Sequence, residues 1–364
     1  MEFAQSPWFL PLAGLFAGFI MGFAARRTHF CTLSALERHW YAGDSTGLSS
    51  WILAAATALI ATQILIHTGI VDIRESFYLS PLFGLTGAII GGLAFGFGMA
   101  LVGTCGFGAL VRSGGGSLRS IVVLLVLGLS ALAAQRGLIA QARVFIVDDV
   151  AINLAPSPTQ SVGDLLSALT GTDLTIAVAV LAGLGLVAWA FRDAAFRRNK
   201  GRIATGMIIG LTIAFGWWAT TFAQVNSFDV VQLEAGSFVV PVGDAIMHFA
   251  TFTGVIPDYG VGLIIGVLAG AAACAWWRDD MRWEACDDAR ELSRHMAGGF
   301  LMGVGGVFAM GCTIGQGVTA VSTLAISAPF AMGAIVLGAR MGLAYLLEGS
   351  PFAAFRRESG KPAE

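Results

Sequence analysis

The spacing of charges constrains this chain more than any other feature. With His counted as neutral, uncharged stretches run over residues 3–25, 45–71, 76–111, 120–135, 174–191, 203–228, 259–277 and 295–339. A helix needs about 20 apolar residues to cross a hydrocarbon core of about 30 Å. Most of these windows fit one crossing, and 295–339 fits two, with a break expected between Cys312 and Pro329. The window 76–111 is longer than one crossing requires, so the backbone around 103–108 is expected to leave the helix at membrane depth. Such backbone survives there only where protein or a cavity surrounds it. The expected fold is an all-α polytopic membrane protein with about nine transmembrane helices.

Composition supports this, since 56% of the 364 residues are apolar and 12% charged, against about 25% charged in soluble domains. A net charge of −2 gives no basic face for nucleic acid. The five cysteines include no CxxC pair and no Cys/His cluster. Free thiols are therefore expected, with no disulfide framework, metal or other cofactor. Short loops rich in Lys and Arg face the cytoplasm, which places Arg192, Arg197, Arg198, Lys200 and Arg202 inside. The 229–258 loop, with Asp229, Glu234, Asp244 and Asp258 and no Lys or Arg, then lies outside. Carried along the chain, this puts the amino terminus outside and the carboxyl terminus inside.

One motif occurs twice. Counted from Cys105 and from Cys312, glycine recurs at −14, −13, −9, −7 and +3 in both places. The loop charges give the two copies opposite directions, so the halves are expected to be inverted repeats with discontinuous or re-entrant helices meeting at the midplane, a recurring transporter plan. The expected organisation is a first repeat over 1–136, a connecting region with one crossing over 137–202, a second repeat over 203–348 and a cytoplasmic tail over 349–364. A third glycine stripe, Gly14, Gly18 and Gly22, leads to Cys31. Residues 32–41 and 242–252 are expected to form short half-helices at matching places.

Glycine spacing alone also serves plain helix packing. What favours a site is the cysteine at each break. A helix restarting after the Cys-x-x-Gly turn presents free N–H groups and a positive dipole end to an anion. Thiols are weak, polarizable donors suited to a sulfur-bearing ligand. Cys105 and Cys312 are expected to meet at a constriction, with Cys31 close by. Cys274 and Cys286 have the surroundings of inert cysteines. Arg340, inside the last span, is either functional or snorkelling to the boundary.

The segments Arg26–Thr32, Gly103–Gly116 and Met310–Gly317 resemble the YeeE/YedE family of bacterial sulfur-compound transporters. The resemblance implies an hourglass of two inverted halves that takes up thiosulfate across the inner membrane. It also implies a path lined by three cysteines, here Cys31, Cys105 and Cys312, and a cytoplasmic TusA-like sulfur carrier as a frequent partner. The motif neighbours Thr104, Gly106, Gly311, Thr313 and Gln316 complete the expected substrate-binding set. Gln316 stands where many family members have His. The function expected is a transporter or channel-like permease, not an enzyme, for thiosulfate or a related sulfur anion. The alternatives are a membrane sulfurtransferase working through a cysteine persulfide and a soft-metal permease.

Overall fold

The computed structural model describes residues 6–155, 157–227, 230–252, 257–286 and 288–355. Asp229 and tail residues 356–364 lie outside these. The first part of the chain forms α1 (Phe9–Thr28), α2 (Thr32–Ala42), α3 (Thr46–His67), α4 (Leu85–Val102), α5 (Gly106–Gly114) and α6 (Leu118–Arg136). The middle holds α7 (Leu138–Arg143), α8 (Val162–Thr170), α9 (Thr175–Ala190) and α10 (Ala194–Arg198). There follow α11 (Lys200–Asn226), α12 (Val240–Ala250), α13 (Tyr259–Trp277), α14 (Ala289–Phe308) and α15 (Ser327–Glu348). Between the last two, residues 313–322 are helical, and Gly315–Ala320 within them is widened to π geometry. The named strands are a two-residue antiparallel pair, Leu82–Phe83 (β1) with Ile152–Asn153 (β2).

Seven stretches among the described residues are long and apolar enough to cross a membrane. Two of them, Phe9–Ala42 and Leu85–Gly114, are a long helix and a short one joined across a cysteine. The expected count was nine. The other two expected crossings are present as helices, but α9 has only 16 residues and α14 carries Arg290, Glu291 and Arg294 in its first turns. The expected half-helices are α2 and α12, the latter beginning and ending two residues earlier than anticipated. The break expected after Cys312 falls at residues 323–326, and a further break at 309–312 immediately precedes the cysteine helix.

Lipid gives apolar helices no hydrophobic reason to associate, so close backbone packing has to supply it. Gly14, Gly18 and Gly22 lie against carbonyls of Tyr259, Leu263 and Val267, while Gly262, Gly266 and Gly270 lie against those of Pro11, Leu15 and Phe19. A methyl group at any of the six would overlap backbone. The stripe leading to Cys31 is therefore the α1–α13 contact. The repeated glycines behave likewise: Gly98 and Gly298 each lie against the other's carbonyl, and Gly91 and Gly305 do the same. Those four cross α4 with α14. Gly92 and Gly96 face α15, as Gly299 and Gly303 face α6. The packing is thus symmetric under exchange of the halves, because α1 on α13 answers α11 on α3, and α4 on α15 answers α14 on α6.

Candidate functional site: two cysteine turns

At the end of α1 the backbone turns back on itself. His29 is left-handed at φ +54°, and the Phe30 N–H returns to the Ala25 carbonyl. This closes the orphan carbonyls of the helix and swings Cys31, fully extended, to the start of α2. At the end of α4, Gly103 takes the same left-handed role at φ +76°, its N–H donating to the Met99 and Ala100 carbonyls. Thr104 follows, then Cys105, extended at the N-cap of α5.

The two elements bring their sulfurs together. Cys31 Sγ lies 4.0 Å from Cys105 Sγ and 3.5 Å from Thr104 Oγ1. Cys105 Sγ also accepts the Gly108 N–H at 3.3 Å. Cys31 is the N-cap residue of α2 and Cys105 that of α5. Two helix N-termini therefore meet at one sulfur pair, and both point positive ends at it. Cys105 and Thr104 are buried, while Cys31 is half-buried. Beside Cys31 a cavity of about 40 Å³ opens, lined by polar and basic groups including His29, Ser34, Arg38, Ser50 and Arg202.

The second turn repeats the device. After α14, Met310 is left-handed at φ +56°, and the Gly311 N–H returns to the Gly306 carbonyl at 2.8 Å. Cys312 Sγ accepts the Gly315 N–H at 3.3 Å. In both turns the helix restarts at the cysteine itself, not after Cys-x-x-Gly as expected, because the thiol serves as the cap. The +3 glycine receives its meaning here. A Cβ on Gly108 would fall on Thr104 Oγ1 and 3.2 Å from Cys31 Sγ, and one on Gly315 would fall 2.9 Å from the Tyr78 hydroxyl and 3.3 Å from Ser237 Oγ.

Gln316 is fully buried, and its Nε2 donates to the carbonyls of Ala309 at 2.7 Å and Met310 at 3.1 Å. It holds the broken end of α14, with Oε1 unpartnered among the described residues. Thr313, also buried, has a hydroxyl without a partner there. Among the described residues the close sulfur pair is Cys31 with Cys105. Cys312, expected to meet Cys105, is not part of that pair; its Sγ accepts the Gly315 N–H. Phe238 lies against the Cys105 turn, its carbonyl 3.2 Å from where a Gly106 Cβ would sit and its ring 4.8 Å from that of Phe107. Cys274 is buried within α13, and Arg340 stacks its guanidinium 5.7 Å from the Trp40 ring of α2, a cation–π contact. Tyr78, Ser237 and Phe238 were not anticipated. They lie in connections outside the repeated motif, and no spacing marks them.

Apolar helices broken at membrane depth, with thiols and helix N-termini turned into the breaks, define a multi-pass membrane transporter. Residues 27–341 match the family described as sulphur transport, and the chain belongs to it. It is 26% identical over 336 residues to the thiosulfate transporter TsuA of Spirochaeta thermophila, covering 89% of this chain and 96% of that one. It is 25% identical over 318 residues to the thiosulfate transporter TsuA of Escherichia coli, covering 84% of this chain and 86% of the relative. The role these likenesses establish is transport of a sulfur compound and not catalysis.

Proposed function

We propose that this protein carries thiosulfate, or a closely related sulfur anion, inward across the bacterial inner membrane by way of Cys312, Cys105 and Cys31. The observation that carries the reading is the Cys31–Cys105 pair, 4.0 Å apart where α2 and α5 both begin. An anion leaving water needs its hydration replaced. Backbone N–H groups at the helix starts do this for the charge, and thiols meet the terminal sulfur. Conduction is served by several weak stations better than by one tight one. Thr104 backs the first station and Thr313 the second, Gly106 and Gly311 let backbone approach, and Gln316 keeps the second break open. Under the charge assignment the amino terminus lies outside, and Arg38 and Arg202 beside Cys31 mark the cytoplasmic exit. The symmetric packing of the halves supports inverted repeats, the first within 1–136 and the second within 203–348, joined through 137–202. A TusA-like carrier would draw the anion onward inside.

The test is uptake of radiolabelled thiosulfate into liposomes holding only this protein. Saturable uptake without any acceptor supports transport. Absence of uptake, restored only when a sulfur-accepting protein is enclosed, replaces it with the sulfurtransferase reading.

A further inference from the structure

Buried polar groups are as a rule hydrogen-bonded, and an exception asks for a reason. Three exceptions among the described residues, the Tyr78 hydroxyl, the Thr313 hydroxyl and Gln316 Oε1, surround the Cys312 turn. Tyr78 is 1% exposed. Its ring is fixed by Phe77, with centroids 4.0 Å apart, and by Trp217 at 6.3 Å. Trp217 is itself pinned by its indole N–H on Ser322 Oγ at 3.0 Å. The direction of the hydroxyl is therefore set by packing, with the Ser237 hydroxyl as its neighbour and no well-formed hydrogen bond to the protein. It lies against Gly315, 2.9 Å from where a side chain there would begin, and Ser237 Oγ borders the same place at 3.3 Å.

We propose that Tyr78 and Ser237 form an oxygen-reading station at Cys312. Their hydroxyls donate to the oxygens of the passing anion while Cys312 meets its sulfur. This rests on the transport reading above and adds its specificity. Hydroxyl donors make short, strong bonds to charged oxygens, whereas thiols donate weakly. At the other turn the space beside the +3 glycine holds Cys31 Sγ and Thr104 Oγ1, a softer lining. The Cys312 station selects sulfur anions that carry oxygens over soft anions that carry none. No bond is made or broken.

The experiment compares the wild-type chain with Tyr78→Phe in liposomes, using thiosulfate as substrate and thiocyanate as an oxygen-free soft inhibitor. Because the hydroxyl makes no well-formed hydrogen bond within the protein, its removal leaves the melting temperature nearly unchanged or raises it. The KM for thiosulfate rises about tenfold or more, the loss expected for one hydrogen bond to a charged group. Inhibition by thiocyanate stays as in wild type, and Ser237→Ala shifts KM in the same direction by less. A Tyr78→Phe protein with wild-type KM, beside a working wild type, overturns the station alone. So does a lower melting temperature with equal weakening toward both anions. A wild-type protein that moves no sulfur anion overturns the transport reading and the station together.

Discussion

At the Cys105 turn the thiol caps α5 through Gly108 and has another sulfur, Cys31, 4.0 Å away. At the Cys312 turn the thiol caps its helix through Gly315 at the same 3.3 Å, but the groups beside that glycine are the hydroxyls of Tyr78 and Ser237. The backbone device is shared and the company is not. Each half-helix start is set by residues that recur in both halves, a left-handed residue, a capping cysteine and a glycine three positions on. The neighbours differ in kind: Cys31 comes from the α1–α2 link, Ser237 from the matching α11–α12 link, and Tyr78 from the α3–α4 link. A backbone frame shared by the two turns thus leaves room for two stations of different softness on the proposed path.

The largest effects should come from the thiols. Cys105→Ala and Cys312→Ala each abolish thiosulfate uptake with expression intact, and Cys274→Ala leaves it at wild-type level. Equal activity of the three variants breaks the proposed parity of the two turns. Next in size are the +3 glycines. Gly108→Ala and Gly315→Ala overpack their turns, costing about 1–3 kcal/mol each, measured as a loss of melting temperature. Gly108→Ala loses more, because its methyl meets a neighbouring side chain closer in than the one at Gly315 does.

A sharper probe exchanges the company. Ser237→Cys places a thiol where the second turn has a hydroxyl and should bring its selectivity toward the first, so that thiocyanate inhibits more strongly. Gln316→Leu keeps the volume but releases the Ala309 and Met310 carbonyls, a loss of about 1–3 kcal/mol for buried acceptors left unpaired. No such change is expected at the Cys105 turn, where Gly103 closes the helix unaided. The smallest effect concerns Arg340, where Arg340→Leu loses a cation–π contact of about 0.5–1 kcal/mol and leaves uptake near wild type. A large loss of uptake there would add a third feature to the path.

Much of this was legible beforehand. The break at Cys105 followed from a window too long for one crossing, the one at 323–326 from a window long enough for two, and the half-helices α2 and α12 from their placement between spans; the break at 309–312 was suggested only by the recurrence of the motif. The glycines at −14 to −7 were visible but their meaning was not, because spacing cannot say whether a bare backbone faces a substrate or another helix. Gly98 against Gly298 and Gly91 against Gly305 answer it as packing. Only the +3 glycine belongs to the turns. Gln316 was singled out by its motif alone; that its Nε2 bonds the backbone behind the break while Oε1 is left unpartnered could not be read from spacing.

By itself, the order of residues determined that this chain lives in a membrane, where its helices break, and which sulfurs sit at the breaks, because hydrocarbon tolerates neither scattered charge nor unpaired backbone. Which atoms meet at each break was decided by the tertiary structure. The meeting of Cys31 with Cys105, and of Gly315 with the Tyr78 hydroxyl, joins residues 74 apart in one case and from separate parts of the chain in the other. Contacts of that range follow from how close glycine lets the helices come, a property of facing surfaces and not of either strand of sequence alone.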